Sequence, residues 1–258
     1  MLRRNFIKKI LLFSLAFLSL KTKIMANSLF KPFNMEDGIF LNNYVLHKSS
    51  FKDFWKWRKE SNKPQPISFP VVKNNPSYLK SNNSEKTITW VGHSTFLIQI
   101  DGINILTDPH FSKRASPLSF MGPSRTTPPG LNMDDLPFID LVLISHNHYD
   151  HLDLRTVKWI AKNNPDAMFL VPLGLKKWFL DKSINNVIEL DWWESHIIND
   201  TKITFTPVQH WSSRTLFDRN QTLWGGWHIK NNYHSLIHLG DTGYSDDFKE
   251  TFKRFKKE

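Results

Sequence analysis

The sequence predicts an α/β fold, and three observations carry that reading. A near-continuous apolar run over residues 139–145, broken only by Asp140, reads as a strand buried on both faces. Behind it, helical spacing at 154–162 and 173–181 alternates with β-rich stretches at 167–171 and 186–190. Strand-like segments flank this block, at 87–91, 95–100 and 103–107 ahead of it and at 203–208, 224–229 and 235–239 after it.

Taken in order, the chain opens on Arg3, Arg4, Lys8 and Lys9, followed by an apolar run from Ile10 to Leu20. That run is shorter than the ~20 residues that span a bilayer and suits the core of an export signal. Arg3-Arg4-Asn5-Phe6-Ile7-Lys8 resembles the twin-arginine signal of bacteria, with Lys21 and Lys23 behind it. Residues 1–26 are therefore expected to direct export to the periplasm. Ile24 fits a cleavage site poorly, so a tether at the inner membrane is the variant of that reading and a cytoplasmic chain the alternative.

Residues 27–86 form a polar extension with Pro32, Pro64, Pro66, Pro70 and Pro76; Phe51, Phe54, Trp55 and Trp57 predict one short helix in it. The main domain is expected over 87–258. Asp101-Gly102 is a hairpin turn between two β-rich stretches, and 108–136 is a proline-rich loop. Asn163-Asn164-Pro165 stops the helix over 154–162. Lys249 to Lys257, interrupted by Glu250, reads as an amphipathic tail.

Composition narrows the chemistry. With 258 residues, 40% of them hydrophobic, the chain can bury a sizeable core. It has no cysteine, which excludes disulfides, thiolate metal sites and a thiol nucleophile, so any metal must be held by His, Asp or Glu. Of the net charge of +10, six positive charges fall before residue 27. The remainder is spread along the chain and reads as a solvated surface, and no nucleic-acid-binding motif is present.

His146-Asn147-His148-Tyr149-Asp150-His151 comes directly after the buried strand. Such a His-x-His-x-Asp-His string arises by chance in about one chain in a thousand of this composition. Residues i and i+2 of an extended segment point the same way, so His146 and His148 can share one ion while Asp150 and His151 face a neighbouring position. Unpartnered, four polar groups at the end of a buried strand would be costly. His210 and Asp241 occupy the same setting, each just after a predicted strand. Asp108, after another strand, is a candidate partner for a ligand imidazole, and His93 is a candidate pocket residue. Trp211, Arg214 and Asn220 come after His210 and are candidates for substrate contact.

The order HxHxDH, then His210, then Asp241 resembles the metallo-β-lactamase superfamily. Thr89-Trp90-Val91-Gly92-His93-Ser94-Thr95, Thr107-Asp108-Pro109, Gly122-Pro123-Ser124-Arg125, the HxHxDH string and Trp224-Gly225-Gly226-Trp227 are similar to its N-acylphosphatidylethanolamine phospholipase D-like branch. The resemblance implies an αββα sandwich with two zinc ions. It implies that His146, His148 and His210 hold the first zinc, Asp150 and His151 the second, and that Asp241 bridges, with Asp150 or Asp241 orienting the attacking water.

The expected activity is zinc-dependent hydrolysis of phospholipid phosphodiesters at a membrane surface. The alternatives are a hydrolase of the same fold acting on a lactone or cyclic phosphodiester, and a non-catalytic remnant. The last family ligand is a late His, and no His comes after His238. The chain is therefore expected to stop inside an incomplete second half-sandwich, with one zinc retained.

Overall fold

Hairpins and crossovers together build the larger sheet. β3 (Thr87–Gly92), β4 (Thr95–Ile100) and β5 (Ile103–Thr107) are antiparallel neighbours. The β4–β5 turn is Asp101-Gly102, both at positive φ (51° and 71°), as a tight two-residue hairpin requires. β6 (Leu141–Leu143), β7 (Met168–Pro172) and β8 (Val187–Leu190) then add in parallel, giving the order β3-β4-β5-β6-β7-β8. Parallel neighbours need crossovers. α3 (Leu154–Asn163) supplies one and α4 (Lys176–Leu180) the next, after α1 (Phe51–Glu60) and α2 (Pro76–Ser81) earlier in the chain.

The second sheet has the order β12-β11-β10-β9, with β9 (Ser195–Ile198), β10 (Thr201–Thr206), β11 (Gly226–Lys230) and β12 (Ser235–His238) all antiparallel. β11 shows how the layers stack, because consecutive side chains of a strand point to opposite faces. The Trp227 indole N–H donates to the Ile144 carbonyl of the first sheet at 3.0 Å, while His228 stacks on Phe255 of α5 (Asp247–Phe255) at 3.5 Å. Leu79 of α2, Val157 and Ile160 of α3, and Phe179 of α4 join the core under the larger sheet. The layers are helices, sheet, sheet, helix: the αββα sandwich of the metallo-β-lactamase fold. Leu141, Val142 and Leu143 are completely buried because both faces of β6 are covered. Full burial of an aromatic such as Trp227 contributes roughly 4–6 kcal/mol of transfer free energy.

The computed structural model describes residues 34–44, 51–60, 70, 72 and 74–256. Glu36–Glu258 is one compact unit. The expected export signal lies outside the described residues. Two-residue strands β1 (Met35–Glu36) and β2 (Ile39–Phe40) open the described part.

Beyond the two-residue strands β1 and β2, the main departures from the sequence reading are four. The extension carries a second helix, α2, whose start was written in Asn75-Pro76, since Asn75 caps it and Pro76 takes the first turn. The helix expected over 173–181 forms only at Lys176–Leu180, because Gly174 turns the chain at φ +86°. The strand expected over 139–145 ladders only at Leu141–Leu143, although Ile144 and Ser145 stay fully buried beyond it. β9 has no counterpart in the sequence reading; its alternation is short and ends at the Asn199-Asp200 turn.

Candidate metal centre

The centre starts where β6 runs out. The Ser145 backbone N–H and hydroxyl both donate to Asp108, at 2.7 Å each, and Asp108 is itself fully buried after β5. The His146 ring reaches the Ser145 hydroxyl through Nδ1 at 2.9 Å, which turns Nε2 toward the site. After His148 the chain coils, with the backbone N–H groups of His151 and Leu152 both donating to the His148 carbonyl, and Asp153 then caps α3. Arg214 pins this coil from outside, donating to the carbonyls of Asn147 and Leu152 at 2.8 Å each and stacking on Tyr149 at 4.0 Å.

His210 arrives from the second sheet. Asn42 clamps its backbone in both directions, donating to its carbonyl at 2.9 Å and accepting from its N–H at 3.1 Å. Asp241 arrives from the turn after β12. Gly240 makes that approach at φ +60°, and a Cβ there would lie 2.5 Å from the Ser145 Cβ, so only glycine fits.

Three ring nitrogens converge on the first position. His146 Nε2 and His148 Nδ1 are 2.7 Å apart, and His210 Nε2 is 3.2 and 3.3 Å from them. A tetrahedral ion with Zn–N of ~2.0–2.1 Å sets its ligand atoms about 3.3 Å apart, so the three nitrogens are close to the spacing of one coordination shell. Burial pushes the pKa values of His148 and His210 down to about 4, and that of His146 well below its ordinary value. All three imidazoles are neutral at pH 7, the state that coordinates.

The second position differs. His93, Asp150 and His151 gather there, with His93 Nε2 at 3.0 Å from Asp150 Oδ2. His151 donates from Nδ1 to Asp108 at 2.9 Å, which leaves Nε2 facing Asp150 at 3.7 Å and Asp241 at 3.3 Å. His151 Nε2 is buried and has no hydrogen-bond partner. Burial lowers the His151 pKa, but the Asp108 charge and the other carboxylates outweigh it and raise it to about 10. Burial likewise opposes ionisation of Asp150, yet the hydrogen bond from His93 and the charge of His151 hold its carboxyl well below the usual range. An orphaned nitrogen between two ionised carboxylates is a place for positive charge, either a proton or a metal ion. The residues fit the metal.

Asp241 joins the two positions. Its carboxylate lies 3.3 Å from His151 Nε2 and 3.8 Å from His210 Nε2, and it groups with His146 and His151. The close approach of His151 holds its carboxyl below the usual range. The six candidate ligands and Asp108 are thus brought together.

His93 does more than line a pocket. It reaches Asp150 from the β3–β4 turn at a left-handed φ of 51°. Trp211 lies against His148 at 4.3 Å between ring centroids. Arg214 faces away as the pin of the coil, and Asn220 spends its side chain on the Ser212 N–H in its own loop and on the Phe40 carbonyl of β2. Asn42 and the second partner of Asp108, His238 at 2.9 Å, had no sequence signal beyond residue type.

Above the two positions opens a cavity of about 580 Å³ whose walls include Trp90, His93, Arg125, His148, Tyr149 and Trp211. Arg125 is anchored there by the His110 ring and carbonyl and by the Ser112 carbonyl. The volume suits a ligand of drug size.

Residues 103–257 match the family model described as "Beta-lactamase superfamily domain". The chain is 43% identical over 172 residues to N-acyl-phosphatidylethanolamine-hydrolyzing phospholipase D 1 of Caenorhabditis elegans, covering 63% of this chain and 48% of that protein. It is 35% identical over 191 residues to the mitochondrial N-acyl-phosphatidylethanolamine-hydrolyzing phospholipase D of Saccharomyces cerevisiae, covering 70% and 40%. The chain therefore spans about half the length of the curated relatives it matches. Among solved structures, an isothiocyanate hydrolase from Delia radicum gut bacteria shares the fold, with a TM-score of 0.51 at 22% identity over 66% of this chain and 67% of that one.

Proposed function

Because the chain belongs to the metallo-β-lactamase superfamily, we propose that it is a zinc-dependent phosphodiesterase acting on phospholipids of the N-acyl-phosphatidylethanolamine type. The observation that carries the reading is the pair of His/Asp groups joined by Asp241 at the base of a cavity walled by Trp90, Trp211 and Arg125. Its likeness to two phospholipases D supports the substrate class.

His146, His148 and His210 would hold one ion; Asp150, His151 and, from its position, His93 would hold the other, with Asp241 between. A donor set of imidazole and carboxylate without thiolate suits zinc. Bound there, the ions would supply Lewis acidity toward a phosphoryl oxygen and make water acidic enough to attack near neutral pH. The chain's own groups do the rest. Asp108 and Ser145 engage Nδ1 of His151 and of His146, so that Nε2 of each ring faces the site and is the atom it would offer to an ion. Asp150, ionised at neutral pH, can accept a hydrogen bond from a water and orient it. Arg125 places a guanidinium beside the cavity, where a phosphodiester carries its charge. Trp90 and Trp211 offer apolar walls to an acyl chain.

The test is product analysis on the zinc-loaded chain. Offered N-acyl-phosphatidylethanolamine, it should release a phosphatidate and an N-acylethanolamine, while a lactone should be left intact. Turnover of the lactone with none of the lipid would replace this reading by another hydrolase of the fold.

A further inference from the structure

A second cavity, of about 430 Å³, lies beside the metal centre, with Tyr149 forming a wall of both. Its lining includes Lys113, Arg114, Arg155, Lys182 and Arg214 against a single carboxylate, Asp153. We propose that this basic cavity takes the phosphate of an anionic phospholipid and docks the mouth of the site on a membrane surface. The proposal rests on the phospholipid reading above and adds a second lipid contact to it.

Four features support it. Asp153 is already satisfied, accepting from the Ser112 N–H at 2.9 Å, the Thr156 hydroxyl at 2.6 Å and the Arg155 N–H at 3.1 Å. Its one negative charge acts on Arg214 and is outnumbered by the five cations. Among the described residues, no ion pair engages Lys113, Arg155 or Lys182. Arg214 is held rigidly by two backbone carbonyls and the Tyr149 ring, and Arg114 by the Gly122 carbonyl at 2.6 Å, so two of the five cations are preorganised. A phosphate offers the acceptor oxygens and negative charge that such a set lacks.

The rim favours a lipid as the source of that phosphate. The loop that supplies Ser116, Pro117 and Ser119 to the cavity holds Phe120 and Met121 in solvent, 76% and 58% exposed. The loop that supplies Arg214 continues into Leu216 and Phe217, 93% and 86% exposed. Apolar tips beside a ring of cations match the layering of a bilayer surface, with phosphates at one depth and acyl chains just below.

Sedimentation of the full chain with vesicles tests this, comparing phosphatidylcholine alone with phosphatidylcholine containing phosphatidylglycerol. All variants share residues 1–35, so any contribution from that segment is common to them. The parent should prefer the anionic vesicles. Neutralising Lys113→Gln, Arg155→Gln and Lys182→Gln should weaken that binding about fivefold per cation and leave binding to neutral vesicles unchanged. Phe120→Ser with Leu216→Ser and Phe217→Ser should weaken binding to both. Unchanged anionic-vesicle binding in the cation variant overturns the proposal. So does cation-dependent binding of glycerol phosphate in solution without a preference for anionic vesicles. Zinc content and turnover of a water-soluble phosphodiester, measured on each variant, should match the parent. A parent that binds anionic vesicles but turns over no phosphodiester refutes the catalytic reading and leaves the docking cavity standing.

Discussion

Three imidazoles meet on one side of Asp241, whereas on the other side two imidazoles meet a second carboxylate, Asp150. The first group is held by buried neighbours and by neutrality: its nitrogens are 2.7–3.3 Å apart and its pKa values are depressed by burial. The second is held by charge. His151 leans on the buried Asp108, and half-exposed His93 reaches in from a turn. The contrast predicts a tighter first position, whose imidazoles are already neutral, and a weaker second position, where a bound metal ion would take the place of a proton on His151 Nε2.

The largest effect should come from Asp241→Asn, which strips the shared carboxylate from both sides. Zinc affinity at the second position should fall at least about 100-fold and at the first about 10–100-fold, read by competition with a chelator. A loss confined to one position would show that Asp241 serves only that side. Asp108→Asn should sharpen the contrast. Removing the charge behind His151 should cost about 10–100-fold at the second position and much less at the first, where Asp108 acts only through the Ser145 hydroxyl.

The pH dependence of the metal-free chain separates the two sides by sign. His148 and His210 titrate near 4 in the fold and near 6.5 when unfolded, so the unfolded chain binds more protons between those values. Their contribution is complete above about pH 6.5 and is lost as pH falls toward 4. His151 is shifted the other way, to about 10, so its contribution is complete below about pH 6.5 and is lost as pH rises through 10. Thermal melts should therefore weaken in both directions from near neutrality, and Asp108→Asn should flatten the alkaline limb alone. An unaltered alkaline limb in that variant would remove Asp108 from the account. The smallest effect is expected from Asn42→Ala, which removes two hydrogen bonds to the His210 backbone. It should destabilise by about 1–2 kcal/mol, or ~2–4 °C in Tm per kcal/mol, and slightly weaken the first position.

Much of this centre is written locally. His146 to His151, His210, Asp241 and Asp108 all sit where a β-rich segment ends, and a polar cluster after a buried apolar run needs a partner. The features that escaped the sequence depend on distance along the chain or on special backbone geometry. Asn42 meets His210 across 168 residues. His93 touches Asp150 only because a left-handed residue at the β3–β4 turn aims it there. The positive charge read as an evenly solvated surface is in part gathered by the fold, which brings Lys113, Arg155, Lys182 and Arg214 to one cavity from four separate segments. The α/β class emerged from alternation, and the sandwich from the resemblance. β9 and α2 were missed because each is only four to six residues long and too short for a periodic signal.

The most direct test of the two-sided centre is calorimetric titration of the metal-free chain with zinc at pH 7, in two buffers of different protonation enthalpy. Two classes of site are predicted, the weaker releasing about one proton per ion more than the tighter, because the His151 pKa is raised to about 10 whereas those of His148 and His210 are depressed to about 4. A single class of site, or two classes that release protons equally, would contradict the account.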